Sequence, residues 1–519
     1  MNHKRAINIR TALLYTVFFV VICFLLTQKK DFMVDELLTY NLSNAEEWFS
    51  PTDGVVYSPA DAPFVEAMAS NGEFDLRHVW NQQTYDTHPP FYYVLVHAVC
   101  VLFPGTVSIM YPGVINILFA LGTLFLYRKI LQMFIDDENV IFGFSVIFCL
   151  SAGVLEIMAF LRMYVMLMFF ITAIAYLIIK NIERFCVKDF VLLFIITICG
   201  TLTHYYFLVF AFFISAVIGF IMLKEKRIKE IIGYIATMGS AGVIIYMIFP
   251  AIVYHIFKRG RGAESIENIK TSNLAEQLKG YIDIINAEVF GGLLGFIILL
   301  IALLWLVALI KPNIQKENVI CHVDRIKASR YCCLLLPSLG YVLLIAKSAP
   351  YIVDRYVASI YAVGLAGVWG VLYTCFKNVY GRTKVRNLII MCFAALVVIL
   401  SFIKCDWEYL YKGSEERLNN SEVYGENADA IVLYDHDWRI NSHYLEIKNC
   451  QSVVFYETNS YEQFSENVDV NELPNEIAFF LFGMNSEEFI NEFLAENNEY
   501  SIVLDNGTRS SGHSYYLKK

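Results

Sequence analysis

The stretch RTALLYTVFFVVICFLLTQKKDFMVDELLTY, residues 10–40, sets an uncharged apolar run directly against a pair of carboxylates. Thr11–Leu26 follows a basic head of Lys4, Arg5 and Arg10. That order also opens a cleaved secretory signal. Here, however, Gln28-Lys29-Lys30 follows the run and no small-residue cleavage site does, so the segment reads as an uncleaved signal anchor with its N-terminus in the cytoplasm. Asp35-Glu36 then lies just beyond the anchor, at the outer water–lipid boundary.

The rest of the chain repeats the apolar theme. Of its 519 residues, 57% are hydrophobic and 17% charged, and the mean hydropathy is +0.51. That balance belongs to polytopic helical membrane proteins. Spans are expected at 11–27, 109–127, 140–159, 162–179, 188–203, 205–223, 231–250, 289–310, 331–347, 356–376 and 386–403. Basic clusters at Arg128-Lys129, Lys180–Lys188, Lys224–Lys229, Lys311–Arg330 and Lys377–Arg386 all fall on one side of this arrangement, the cytoplasmic one by charge bias. The apolar run 91–103 is short and bounded by Pro89-Pro90 and Pro104-Gly105. Counted as a span it inverts every later loop, so it reads as a juxtamembrane helix.

Eleven spans send the chain beyond residue 403 to the outer face. Residues 411–519 carry 20 acidic and 7 basic side chains, a net of −13 that leaves +4 of the overall −9 on the remainder. An acidic outer domain on a mildly basic membrane body argues against nucleic acid as a partner. Strand-like runs at 429–434, 451–456, 477–482 and 500–504, with a helix from Asn485 to about Glu496, predict a small α/β fold without a glycine-rich phosphate loop. The fold class is therefore all-α polytopic membrane protein, residues 1–403, with an extracytoplasmic α/β domain at 404–519. The 12 cysteines lie mostly singly in apolar runs, which predicts neither a disulfide framework nor a structural metal.

The outer loops 28–108 and 251–288, the tail and the short turns between spans bring the conspicuous ionisable residues to one face. Asp35 is a candidate general base: near low dielectric, a carboxylate can take the proton of a hydroxyl as its oxygen attacks. Glu36 is placed to position an acceptor or support the loop. Asp86-Thr87-His88-Pro89-Pro90 offers a second acid, an imidazole and a rigid turn, and Tyr92 and Tyr93 follow it. Arg162, beside Tyr164 at a helix mouth, can donate to phosphate oxygens; its bland alternative is snorkelling to the interface. His204-Tyr205 and Asp354-Arg355 form similar polar corners, and Arg355 supplies a second planar fork of donors. Lys258, Arg259 and Arg261 run against the charge bias and suit an anionic headgroup or phosphate. Glu156 reads as a local structural partner.

These motifs together resemble the GT-C superfamily of multi-pass glycosyltransferases, in particular its protein mannosyltransferase and aminoarabinose-transferase-like group. A DEAYT-like motif stands here as DELLT (Asp35–Thr39), HPPLYY as HPPFYY (His88–Tyr93) and QEARMY as AFLRMY (Ala159–Tyr164). A THYY-like helix mouth stands at Thr203–Tyr206 and an RY segment at Arg355-Tyr356. The resemblance implies inverting transfer of a sugar from a polyprenyl-phosphate donor to a glycan, lipid or protein hydroxyl at the outer face of a bacterial cell membrane. It makes Asp35 the base, Asp86 a second acidic site, and Arg162, His204 and Arg355 phosphate contacts. Phe160 stands where the family has glutamate, so a contact made there is absent or rearranged. No nucleotide is expected, and a divalent cation is compatible with the motifs without being demanded by them. The alternative is a transporter or flippase of lipid-linked sugar, which would line a route with polar groups; here they gather at one face and no internal repeat is evident.

Overall fold

The computed structural model describes residues 2–46, 50–59, 68–258, 260–310, 325–379, 383–469, 472–509 and 512–519. The chain divides into two compact units. One comprises Met1–Leu25, Asp86–Tyr92 and Gly113–Trp407; the other comprises Leu26–Tyr85, Tyr93–Pro112 and Glu408–Lys519.

The first unit is helical. Among the described residues, seven helices are long and apolar enough to cross a membrane: Ile9–Gln28, Met110–Leu131, Tyr206–Lys224, Ile228–Ile248, Arg325–Ser348, Tyr361–Val379 and Lys384–Lys404. The pair Glu138–Cys149 and Ala152–Ala159, bent by 46°, makes an eighth crossing if taken as one. Tyr164–Lys180, Val187–Thr203 and Leu294–Ile310 occupy the three remaining positions expected from hydropathy. Each has 17 residues, or about 26 Å of helix against a hydrocarbon core of about 30 Å. The expected span 140–159 is broken at Leu150-Ser151, where the N–H of Ala152 turns to the Ser401 hydroxyl at 3.5 Å. Phe91–Cys100 has ten residues, about half the length a crossing needs.

Burial separates these helices by role. Tyr164–Lys180 is apolar all round and buries 14 of its 17 residues, so it is the central helix of this unit. Ile228–Ile248 buries only Tyr234, Ala241 and Ile245 and exposes an apolar face that includes Ile232, Ile235, Val243 and Met247.

The second unit is built on one mixed sheet. Its strands are β1 (Val56–Tyr57), β2 (Asp429–Tyr434), β3 (Val453–Glu457), β4 (Glu476–Phe482), β5 (Ser501–Arg509) and β6 (Gly512–Lys518), in the order β1-β3-β2-β4-β6-β5. β3, β2 and β4 are parallel; β6 and β5 close one edge antiparallel, and β1 the other. The helix Ser486–Glu496 starts where Asn485 accepts the Glu488 N–H at 3.3 Å, and its apolar face packs Phe489 and Phe493 on Phe479.

Four of the six strands and this helix coincide with the sequence expectation. β1 and β6 fall outside that expectation; the two residues of β1 come from the first outer loop and pair with Val453 and Val454, and β6 pairs with β4 and β5. Hydropathy placed a boundary at 403/404, whereas packing groups 26–85 and 93–112 with the tail. Two buried ion pairs make that grouping. Lys29 meets Glu36 at 3.0 Å and donates to the Tyr409 carbonyl at 2.6 Å. Arg509 meets Asp31 at 2.6 Å and donates to the Ser442 carbonyl at 2.7 Å.

Candidate functional site

Within the helical unit, four separate chain segments converge. The turn at Asp86 is fixed by its own carboxylate, whose Oδ2 accepts the His88 backbone N–H at 3.2 Å and the His88 Nδ1–H at 2.8 Å. Pro89 and Pro90 then release the chain into the helix at Phe91, as proline in a first turn does. With Nδ1 as donor, His88 presents the lone pair of Nε2 to Arg162 Nη2 at 3.5 Å. Partial burial pushes the Asp86 carboxyl up, but the His88 ring and, beyond it, Arg162 outweigh that and hold it below the ordinary carboxylate range. Asp86 is therefore ionised at neutral pH.

Arg162 is 4% exposed. The backbone before it leaves the helix Ala152–Ala159 in a tight turn, with the Arg162 N–H on the Phe160 carbonyl at 2.9 Å. Carbonyls stranded at such a helix end need donors. Asn116 supplies them, giving its Nδ2 protons to Met158 and Phe160 at 3.2 and 2.8 Å. Its own Oδ1 lies 3.5 Å from the Tyr92 hydroxyl. A lone amide in an apolar span thus sets the direction from which Arg162 leaves the backbone.

His204 ends the helix Val187–Thr203 in extended conformation, and its ring lies 5.8 Å from that of His88. Its Nδ1 accepts the Tyr206 N–H at 3.1 Å. Burial first, then the neighbouring His88 and Arg162, hold its pKa well below 6.5, so this ring is neutral. Tyr164, Tyr206 and Tyr356 form an aromatic wall around it, with Tyr164 and Tyr206 centred 5.4 and 4.6 Å from the imidazole and Tyr356 5.4 Å from Tyr206. Arg355 opens a short helix capped by Asp354, whose carboxylate accepts the Arg355 N–H at 2.6 Å. The guanidinium lies over the rings of Phe160 at 5.5 Å and Tyr356 at 5.7 Å.

The remaining sequence candidates make other contacts. Tyr205 shares a hydrogen bond of 2.8 Å with His255 Nδ1, and burial raises its hydroxyl pKa. Lys258 is exposed at the end of the helix Ala251–Phe257, and Arg259 lies outside the described residues. Arg261 pairs with Glu264 at 2.8 Å. Asp35, Glu36 and Tyr93 belong to the second unit. Asp35 stands in the first turn of the helix Val34–Asn44 with a partly exposed side chain. Glu36 is fully buried and accepts the Met33 N–H at 2.7 Å besides meeting Lys29.

Three residues absent from the sequence reading now matter: Asn116, His255 and Glu288. Glu288 accepts the Tyr361 hydroxyl at 3.0 Å. Burial first, then the charge of Asp354, push its carboxyl up to about 9. A polar residue alone in an apolar run was the available signal for Asn116. Among the described residues, no three His, Cys, Asp or Glu side chains gather so as to hold a metal ion.

No protein-family model and no curated protein matches the chain. Among solved structures it is similar to ArnT from Cupriavidus metallidurans bound to undecaprenyl phosphate, with a TM-score of 0.53 at 10% identity, over 98% of this chain and 97% of that one. The chain has the GT-C fold. The oligosaccharyltransferase of Archaeoglobus fulgidus in the apo form aligns at TM-score 0.44 and 10% identity, over 89% of this chain and 69% of its own. At such identity the likeness within the GT-C fold concerns architecture, and the chemistry has to be argued from the side chains.

Proposed function

We propose that this membrane protein is an inverting glycosyltransferase that moves a sugar from a polyprenyl-phosphate carrier to an acceptor hydroxyl. The observation that carries the reading is the meeting of Asp86-His88, Arg162, His204 and Arg355, from four distant segments, beside an aromatic wall. One buried and one half-buried arginine among rings, with a neutral imidazole, suit a phosphate that sheds a sugar, because preorganised donors act most strongly where water is excluded. Support from the fold is architectural, and the ArnT of similar fold was crystallised with undecaprenyl phosphate.

In the reaction, the acceptor oxygen bonds to the sugar's anomeric carbon from the side away from phosphate while its proton passes to a carboxylate. The bond from that carbon to the phosphate oxygen breaks, and its electron pair leaves with the polyprenyl phosphate. Arg162 and Arg355 are the proposed phosphate donors. Asp86 is a positioning residue, holding His88 in the tautomer that faces Arg162. Asp35 is the proposed base; the sequence motif and its partial exposure in a first helical turn support that role. The acidic domain and the C-terminal end are assigned to the extracytoplasmic face on the charge bias of the loops.

The test is the full chain in liposomes with a panel of labelled polyprenyl-phosphate sugars and a hydroxyl acceptor. Release of polyprenyl phosphate with sugar on the acceptor supports the reading. Movement of the carrier between leaflets without transfer overturns it in favour of a flippase.

A further inference from the structure

At the opposite ends of the helices from this cluster, the same unit holds a second cationic cavity. Asn116 and Arg128 share one helix and are twelve residues apart, about 18 Å along its axis. The cavity at the Arg128 end has a volume of about 380 Å³, and Arg10, Arg128, Lys377 and Arg386 line it along with Asp136, Asp137 and Glu138, the last of which accepts from the Gln132 amide at 3.4 Å.

Two of its arginines are buried, Arg128 at 7% and Arg386 at 4% exposed. Their hydrogen-bond partners are neutral. Arg128 donates to the hydroxyls of Ser145 and Thr11, both at 3.3 Å. Arg386 donates to Asn387 Oδ1 at 3.1 Å and to the Tyr373 hydroxyl at 3.3 Å, and lies over the Tyr373 ring at 5.0 Å. Among the described residues no carboxylate forms an ion pair with either arginine. The nearby acids are committed elsewhere: Asp136 meets Lys377 at 2.5 Å and Tyr373 at 2.6 Å. Asp137 takes the Asn139 N–H at 2.9 Å and the Asn387 amide at 2.5 Å.

A buried cation without a counter-charge is costly, and an anion in the cavity removes that cost. We propose that this cavity binds a phosphate group, supplied by an anionic phospholipid of the membrane leaflet on that side. Two flanking helices carry the apolar surface that acyl chains need. Leu13 and Val17 are 58% and 48% exposed just beyond Thr11, and Phe125 is 52% exposed one turn before Arg128. Basic pockets between membrane helices take anionic headgroups in this way. The site is independent of the proposed transfer reaction.

Thermal unfolding of the full chain in nanodiscs tests it, using phosphatidylcholine alone, phosphatidylcholine with phosphatidylglycerol, and phosphatidylcholine with inorganic phosphate. Phosphatidylglycerol is expected to raise the Tm in the wild type, and the paired change Arg128→Gln with Arg386→Gln to weaken that response roughly thirtyfold in lipid concentration. A rise from inorganic phosphate that the paired change abolishes supports the anion site and makes soluble phosphate its source. No rise from either, or a rise that survives the paired change, overturns the proposal. Should the variant fail to fold, native mass spectrometry of the wild type decides. One retained phosphatidylglycerol per chain after graded delipidation supports the site, and complete loss at the rate of phosphatidylcholine overturns it.

Discussion

Arg509 and Arg162 are almost equally buried, 7% and 4% exposed, yet they inhabit opposite kinds of surroundings. Arg509 meets a carboxylate at 2.6 Å and a backbone carbonyl at 2.7 Å, with the Tyr411 ring beneath it. Arg162 meets the His88 imidazole, whose far side Asp86 holds. The two acids register the difference. Burial lifts Asp31 above its ordinary range even with Arg509 beside it, whereas Asp86 is held below its range by His88 and Arg162. One arginine closes a structure. The other shares its position with an imidazole that a carboxylate orients.

The largest effect expected concerns the proposed base. Asp35→Asn keeps the shape and partial exposure of the side chain but removes its ability to take a proton. Transfer is expected to fall by about 10²–10⁴-fold, with binding of a polyprenyl-phosphate sugar unchanged in a co-purification assay. Undiminished transfer rejects Asp35 as base. Glu36→Gln, by contrast, leaves Lys29 buried beside a neutral amide, so its principal readout is unfolding of the second unit rather than turnover.

Next come the arginines themselves. Arg509→Gln strands Asp31 in the interior, and breaking a buried pair costs about 3–5 kcal/mol; the loss is measured as a lower unfolding midpoint. Because burial already outweighs pairing at Asp31, replacing both partners by apolar residues of similar volume should recover most of that loss. Arg162→Gln is expected to do the reverse, lowering donor affinity roughly thirtyfold while the midpoint moves little. Equal effects of both changes on stability, with none on donor binding, would dissolve the contrast.

A smaller effect follows from pH. His204 has a folded pKa well below 6.5, so between that value and 6.5 the unfolded chain binds the extra proton. Stability then falls as pH drops through this window, and His204→Asn should flatten the slope. Glu288 runs the other way. With its carboxyl raised to about 9, the folded chain holds a proton that the unfolded chain releases near 4.5. Its contribution is fully present below pH 4.5 and is lost as pH rises toward 9, and Glu288→Gln should remove that dependence. Gly153 makes the room this side chain occupies: a Cβ there would lie 2.9 Å from the Glu288 Cβ and 3.0 Å from its Oε2.

Much of the architecture was legible because it is local. Among the described residues, apolar runs placed seven span-length helices and, at the other four expected positions, shorter or broken ones, and alternating strands with an Asn485 cap placed most of the sheet. What escaped is set by distant partners. Val56-Tyr57 becomes a strand only against Val453-Val454, and Lys29 looks like a solvated helix end until Glu36 and Tyr409 enclose it. The same holds for the site. Arg162, His204 and Arg355 were visible as polar residues at helix mouths, but Asn116 acquires meaning only from the two carbonyls it satisfies. Glu288 sits half-buried at the end of an ordinary amphipathic helix, and no local pattern announces its contact with Tyr361.

The smallest effect is the most specific to this chain. Phe160 replaces the glutamate that the AFLRMY motif leads one to expect, and Arg355 lies over its ring. A carboxylate at that point would pair with the guanidinium and compete with phosphate for it. An aromatic face attracts the same cation by about 0.5–2 kcal/mol, orienting the fork without neutralising it. Phe160→Leu removes the quadrupole and keeps the apolar volume, so donor affinity should fall only a few-fold, in line with that energy. Phe160→Glu should weaken donor binding more than Phe160→Leu, because it supplies Arg355 with a competing anion. Tighter donor binding in Phe160→Glu, measured on the same labelled lipid, would mean that the ring is a packing substitute and that Arg355 holds something other than the phosphate.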